Sequence, residues 1–331
     1  MYSLEEITAV HLEITSKCQA KCPMCPRNFQ GGKVNPLIDL DEVTLEQFKE
    51  WFPTPFVKRL KKLFMCGNLG DPIIAKDTLE IFKYLRENNN SMMLHMHTNG
   101  SGRNIKWWTE LASLNVYVIF GIDGLGDTHS LYRINTSWDK IIENASAFIG
   151  ANGRARWDMI VFKHNEHQIE DCRALSDKMG FEKFTVKHTS RFRDGKLNVL
   201  NDEGKTVNVL YPTEYSKSMV NKIKQATEEV LPMITCKAKN DQQIYVSATG
   251  IVTPCCWTDN SWDMPAVESR YNYLDVIGYW PSLHKQTLTE IFDSGYFASI
   301  EKAWSTCGLK TCSKQCGSFD RMNAQWAGIK A

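Results

Sequence analysis

The sequence has no run of the roughly 18 apolar residues that a membrane span needs. Its start, MYSLEEITAV, places glutamates where a secretory signal has a basic region and an apolar stretch, so no export signal is read and the cytoplasm is the expected location. An excess of charge is also lacking. There are 39 Lys plus Arg against 38 Asp plus Glu, a formal net charge of +1, which leaves no global field to draw in nucleic acid or a membrane surface. Repeats and low-complexity tracts are missing too. With 43% hydrophobic residues over 331 positions, the chain has the material of an ordinary globular core.

Cysteine is plentiful, at eleven residues. In a small secreted domain that number would form a disulfide framework; in a reducing compartment, and clustered as here, the thiols read as metal ligands. Two Asn-x-Ser triplets, at Asn135 and Asn144, are then chance matches.

From the start to about residue 190, short β-type runs alternate with amphipathic helical stretches, the pattern of βα units around a parallel sheet. Six strands are predicted: Ile7 to Thr15, Leu60 to Cys66, Met92 to Thr98, Val116 to Ile122, Trp157 to Lys163 and Phe184 to His188. Thr44 with Gln47, and Asp77 with Glu80, fit side-chain caps that close a helix's first turn. Periodicity places further helices over Trp138 to Ile149 and His167 to Met179, the latter ended by Gly180. After Asn198 the rhythm changes. A polar stretch (NDEGKTVN), a helix near Glu214 to Val230, a hairpin over Gln243 to Cys255 and a helix over Leu288 to Trp304 lead to the last cysteines.

The first cysteine cluster follows the first strand directly: Cys18-Gln-Ala-Lys-Cys22-Pro-Met24-Cys25. In parallel α/β architectures ligands gather at the carboxyl ends of the strands, so this loop falls on the functional rim. Three thiolates can hold three irons of a cubane and leave the fourth open to a small molecule bearing an amine and a carboxylate. A zinc site is the plainer alternative. Later strands end in matching places: Gly67-Asn-Leu-Gly70-Asp71-Pro72, then Thr98-Asn99-Gly100, then Gly121-Ile-Asp123-Gly124, with Arg133 shortly after.

Cys-x3-Cys-x2-Cys in this setting resembles the signature of the radical S-adenosylmethionine (SAM) superfamily, and the likeness extends over nearly the whole chain. The resemblance implies a [4Fe–4S] cluster on Cys18, Cys22 and Cys25. It also implies a partial (β/α)6 TIM-like barrel over residues 1–200, a helical connection over 201–235 and a small SPASM/twitch-like cluster-binding domain over 236–331. Gly67, Gly70 and Asp71 stand where the family's Gly-Gly-Glu-Pro element binds the SAM ammonium. Thr98, Asn99 and Asp123 fall on the same rim, and Arg133 matches a position that pairs with the SAM carboxylate. A surface ion pair is the bland alternative for Arg133. Met24 departs from the family's usual aromatic beside the adenine, and Gly121 from its frequent serine. Asn165 either faces the cofactor or terminates strand five. Cys66 and Cys172 read as small buried hydrophobes.

The tail supplies a second set. Cys236, Gly250 and Cys255 resemble the opening of the SPASM/twitch region, and Cys307, Cys312 and Cys316 its closing part. Six thiols are too few for two further clusters, so one auxiliary [4Fe–4S] cluster is expected on Cys236, Cys255, Cys312 and Cys316, with Cys307 the first substitute and Cys256 structural. Four thiolates suit zinc equally by spacing.

The resemblance implies that SAM is cleaved reductively to a 5′-deoxyadenosyl radical that takes hydrogen from a substrate, with a flavodoxin- or ferredoxin-like reductant as partner. A peptide or protein residue is the leading substrate class; a small aminocyclitol- or sugar-like molecule is the alternative. Outside enzymes, the rivals are an iron–sulfur electron carrier and a zinc-stabilised binding module.

Overall fold

A computed structural model of the chain describes residues 2–192, 195–225, 234–259, 268–306 and 309–317. Strand β1 (Ala9–Leu12) is followed by helices α1 (Leu45–Trp51) and α2 (Thr54–Arg59), β2 (Lys62–Met65) by α3 (Thr78–Asn88), and β3 (Met93–Thr98) by α4 (Ile105–Ser113). Next come β4 (Val116–Gly121), α5 (Asp127–Ser130) and α6 (Trp138–Gly150), then β5 (Ala155–Ile160), α7 (Ile169–Met179) and β6 (Lys183–Lys187). These six strands pair in parallel in chain order. All six runs marked in the sequence become strands, most of them shorter at the ends, with β5 beginning two residues early.

Along each strand the residues alternate. Val10, Leu12, Leu63, Met65, Leu94, Met96, Val118, Phe120, Trp157 and Met159 are buried in one apolar core. Burial of such side chains contributes about 1.5–3 kcal/mol each, which is what holds the barrel wall. The alternate positions, on the inner face, mix the polar His11, His95, His97, Arg156 and Asp158 with Phe64, Tyr117, Ile119 and Ile160. A packed barrel would fill such positions mainly with branched aliphatics, so this lumen carries more polar groups than a closed core.

Local signals act as expected at several boundaries. Thr44 and Gln47 form a reciprocal capping box at α1. Gly180 ends α7 with φ of +86°, a conformation that costs glycine nothing. Asp77, in contrast, does not cap α3; its carboxylate accepts from the Leu45 backbone N–H at 3.0 Å and so ties α1 to α3 instead. Asn144 is buried in α6, its amide donating to the carbonyls of Gly100 and Gly102 at 2.8 and 2.9 Å.

Beyond the barrel, β7 (Leu197–Leu200) and β8 (Thr206–Leu210) form an antiparallel pair through the polar stretch. Helices α8 (Glu214–Gln225) and α9 (Lys237–Asn240) lead to β9 (Gln243–Val246) and β10 (Val252–Thr253). The expected hairpin is present, and β9 also pairs in parallel with β1, so the sheet runs β10-β9-β1-β2-β3-β4-β5-β6. Helices α10 (Glu268–Ile277), α11 (Leu288–Asp293), α12 (Tyr296–Thr306) and α13 (Lys310–Cys316) complete the described residues. The single helix expected over Leu288 to Trp304 is two helices. Gly295, at φ of +79°, turns the chain between them, and α12 runs two residues past the expected end. Among the described residues, no helix is long and apolar enough to cross a membrane.

Candidate functional site

The loop after β1 is pinned on several sides. Asp71 N–H donates to Lys17 O at 3.0 Å, Lys21 N–H to Ile134 O at 2.9 Å, and Cys25 N–H to Cys22 O at 2.9 Å. Arg27 donates to Ala20 O at 3.1 Å and the Asn28 amide to Cys22 O at 3.2 Å. Cys22 is buried, and Cys18 and Cys25 are half-buried. Burial pushes all three thiols up, Cys22 to about 11 even with Arg133 beside it lowering it, so they stay protonated; bound metal is what would deprotonate them.

Donors already face two of these sulfurs. The Asn99 amide nitrogen lies 3.7 Å from Cys18 Sγ, and Arg133 Nη1 lies 3.9 Å from Cys22 Sγ. Such outer N–H groups orient ligands and stabilise the charge of a thiolate–metal group. The donor set therefore fits an iron–sulfur cluster on Cys18, Cys22 and Cys25.

The next two loops are locked to the first through Asp71. Its Oδ1 accepts from Thr98 Oγ1 at 2.8 Å and Ile73 N–H at 3.2 Å; its Oδ2 accepts from the Asn99 backbone at 2.7 Å and side chain at 2.6 Å. Four donors from the chain itself occupy the carboxylate, so Asp71 acts as a rivet that sets Thr98 and Asn99. Burial raises its pKa while those bonds oppose the rise. Gly70 passes so close to the first loop that a β-carbon would sit 1.7 Å from Thr15 O, and one on Gly67 would sit 2.1 Å from Gly70 O. Both positions need glycine for close approach.

On the far side, Asp123 is fully buried; its Oδ2 accepts from Arg133 Nε at 2.6 Å and its Oδ1 from Ile160 N–H at 2.6 Å. Arg133 is thus no surface pair: its side chain is 18% exposed against a carboxylate at 0%. Asn165 terminates β5, its amide donating to Asp123 O at 3.1 Å and Ile160 O at 3.0 Å. Met24 sits nearer β6, its carbonyl accepting from Arg191 Nη1 at 3.1 Å and its sulfur 3.7 Å from Thr189 Oγ1. Cys172 is fully buried among apolar side chains, while Cys66 is half-buried.

Glu13 is the residue that sequence reasoning passed over. It is buried just past β1, accepts from Leu69 N–H at 2.7 Å and Gly70 N–H at 3.0 Å, and takes a very short hydrogen bond from Tyr245 of β9. Burial raises its carboxyl to about 7 against those bonds. The available signal was a lone acidic residue inside an apolar run. A second tie, Asn68 Nδ2 to Cys256 O at 3.0 Å, joins the same loop to the tail.

In the tail, Cys236, Cys255, Cys312 and Cys316 line one small cavity with Trp257 and Trp304. Thr235 N–H donates to Cys316 O at 3.0 Å, which brings the ends of this segment together. The Cys236 thiol, donating to Cys316, holds Cys316 below the usual thiol range. Cys256 is absent from that lining, and Cys307 lies outside the described residues. Among the described residues no three Cys, His, Asp or Glu side chains are grouped as they would be around one metal ion.

Residues 12–175 match the model of the Radical SAM superfamily. No curated protein sequence matches the chain with significance. Among solved structures, Streptococcus suis SuiB bound to S-adenosylmethionine superposes with a TM-score of 0.61 at 13% identity, over 92% of this chain and 72% of that one. Native anSMEcpe with bound AdoMet and Cp18Cys peptide gives 0.57 at 13% identity, over 96% and 90%. BtrN in complex with AdoMet and 2-DOIA gives 0.49 at 13% identity, over 96% of both chains, too loose a fit to carry an argument. At these identities the structural likenesses speak for the fold, and the matched span speaks for the family: residues 12–175 are a radical SAM superfamily domain, and the chain is a radical SAM enzyme.

Proposed function

We propose that the protein modifies a peptide or protein residue by hydrogen abstraction, using a [4Fe–4S] cluster on Cys18, Cys22 and Cys25 and one auxiliary [4Fe–4S] cluster in the tail. The observation that carries the reading is the single connected network from the cysteine loop through Asn99 to Asp71 and Thr98, with Arg133 and Asp123 opposite. When bound, cluster and SAM supply reductive cleavage of SAM and abstraction of a substrate hydrogen.

The chain's own residues do the rest. The three cysteines hold the cluster; Asn99 and Arg133 direct N–H groups at its sulfurs. Gly67 and Gly70 let this loop close on itself and on the cysteine loop, Asp71 fixes the Thr98–Asn99 turn, and Met24 offers an apolar contact for the adenine. Asp123 keeps Arg133 charged and aimed, and the guanidinium takes the SAM carboxylate. A flavodoxin- or ferredoxin-like protein delivers the electron.

The peptide reading is supported by neighbours of the same fold: a SuiB structure bound to precursor peptide SuiA and the peptide-bound anSMEcpe. The auxiliary cluster is supported by the shared cavity of Cys236, Cys255, Cys312 and Cys316, and its place in a SPASM/twitch-like unit by the order of those cysteines.

The test is anaerobic reconstitution followed by a search for 5′-deoxyadenosine after adding SAM and dithionite. Wild type is expected to form it, and Cys18→Ala, Cys22→Ala and Cys25→Ala to lose it while keeping their circular dichroism. Unaltered production in any of the three sinks the assignment.

A further inference from the structure

The polar lumen has a charge that the proposed chemistry does not use. On β5 and β6 the inner face carries Arg156, Asp158, Thr185 and Lys187, with Ile160 and Lys183 in register beside them; Asp158 stands in register with Thr185 on one side and with Gly121 on the other. Lys187 Nζ lies 2.5 Å from Asp158 Oδ2, and Arg156 Nε lies 2.7 Å from Asp158 Oδ1. Two cations therefore share one carboxylate, leaving one positive charge over. Arg156 and Asp158 are 8% and 7% exposed, whereas Lys187 is 28% exposed and so open to a ligand.

Among the described residues, Asp158 is the one carboxylate within ion-pair distance of Lys187 and Arg156. His97 is held neutral, lowered to about 3 by burial first and by Lys187 next. The Cys66 thiol is pushed up to about 12 by burial, and Lys187 works against that rise. Of the other buried carboxyls, Glu13 is already engaged by two backbone N–H groups and Tyr245, and Asp123 by Arg133 and the Ile160 N–H. A second observation also points to a ligand. The Thr185 hydroxyl, 6% exposed and in register with Asp158, makes no hydrogen bond, and a buried unpaired hydroxyl is costly until something fills its bond.

We infer that Lys187, Arg156 and Thr185 form a subsite in the barrel lumen that takes a carboxylate of the substrate. The inference rests on the proposed function, since it places a substrate group below the cluster loop. A guanidinium and an ammonium on one largely buried face bind a carboxylate through charge-assisted bonds, and the threonine hydroxyl donates a third. The subsite is also coupled to the rim, because Ile160, in register with Lys187, donates its N–H to Asp123, the partner of Arg133. The carboxylate belongs either to a Glu or Asp side chain of a peptide or to a free small acid.

The test is calorimetric titration of the reconstituted, SAM-loaded full chain, so that the SAM carboxylate does not compete. The probes are glutarate and acetyl-Gly-Glu-Gly-amide, with glutaramide and the Gln tripeptide as neutral controls. Saturable binding of at least one acid over its control is expected. Lys187→Gln is expected to weaken it roughly tenfold or more, and Lys187→Arg, which keeps the charge, to restore most of it. Tighter binding of the tripeptide assigns the carboxylate to a peptide, and tighter binding of glutarate to a free acid. No binding to wild type, equal binding of the neutral controls, or unchanged binding by Lys187→Gln overturns the subsite. Because binding rather than turnover is read, absence of 5′-deoxyadenosine formation in wild type would count against the proposed function alone.

Discussion

The Arg133 guanidinium occupies the space that a side chain on Gly121 would need: a β-carbon at Gly121 would lie 2.6 Å from Arg133 Nη2. Through that space Arg133 reaches Asp123 and Cys22. Gly121→Ser meets only the far end of a flexible side chain, so the fold is expected to survive at a cost of about 1.5–3 kcal/mol as the charged bond to Asp123 is strained. Gly70→Ala meets the Thr15 backbone carbonyl at 1.7 Å, which cannot swing aside. Thermal melts of the two variants should separate clearly, with Gly70→Ala failing to accumulate folded protein; equal stability would contradict the packing.

Asp71 is read as a rivet because four protein donors fill its carboxylate. Asp71→Ala leaves buried donors unpaired, with an expected stability loss of about 3 kcal/mol or more. SAM affinity should fall with it, by about 1.5–3 kcal/mol, through displacement of Thr98 and Asn99. Calorimetry and melting curves check both together. Weaker SAM binding at unchanged melting temperature would move Asp71 from rivet to direct ligand.

Glu13 gives a pH signature. Its folded carboxyl titrates near 7 because burial raises it, against about 4.3 in an unfolded chain. Between those values the folded state binds the extra proton, so this group's contribution to stability is full below about 4.3 and is lost as pH rises through about 7. Buried His11 and His97, lowered to about 4 and about 3 chiefly by burial, act in the opposite sense, so the comparison must be differential. Relative to wild type, Glu13→Gln is expected to gain up to about 1.4 kcal/mol per pH unit between pH 5 and 7 and to gain nothing further above about 7.5. Denaturant unfolding at stepped pH measures it, and a flat difference would remove Glu13 from the account.

The tail offers a metal count. Wild type, reconstituted anaerobically, is expected to hold about eight irons per chain from two cubanes, and the Cys312, Cys316 double alanine variant about four. The double variant should still cleave SAM without substrate, since Cys18, Cys22 and Cys25 are untouched, yet form no product. Zinc in the tail with only four irons per chain would overturn the auxiliary cluster and leave the first intact.

What the sequence determined by itself is whatever depends on near neighbours. The six barrel strands are written in alternating apolar residues, the Thr44–Gln47 box in a spacing of three, and the cysteine loop in eight consecutive residues. Their physics is local, so their meaning survives in one dimension. The tertiary structure decided what depends on meetings between distant residues. Glu13 and Tyr245, 232 positions apart, come together only because β9 lies beside β1. Asp71 is a plausible ligand in the sequence and a saturated acceptor once Thr98 and Asn99 fold against it. The excess charge at Lys187 exists only when β5 and β6 share an inner face, because spacing fixes which residues can alternate but only the folded sheet decides what they face.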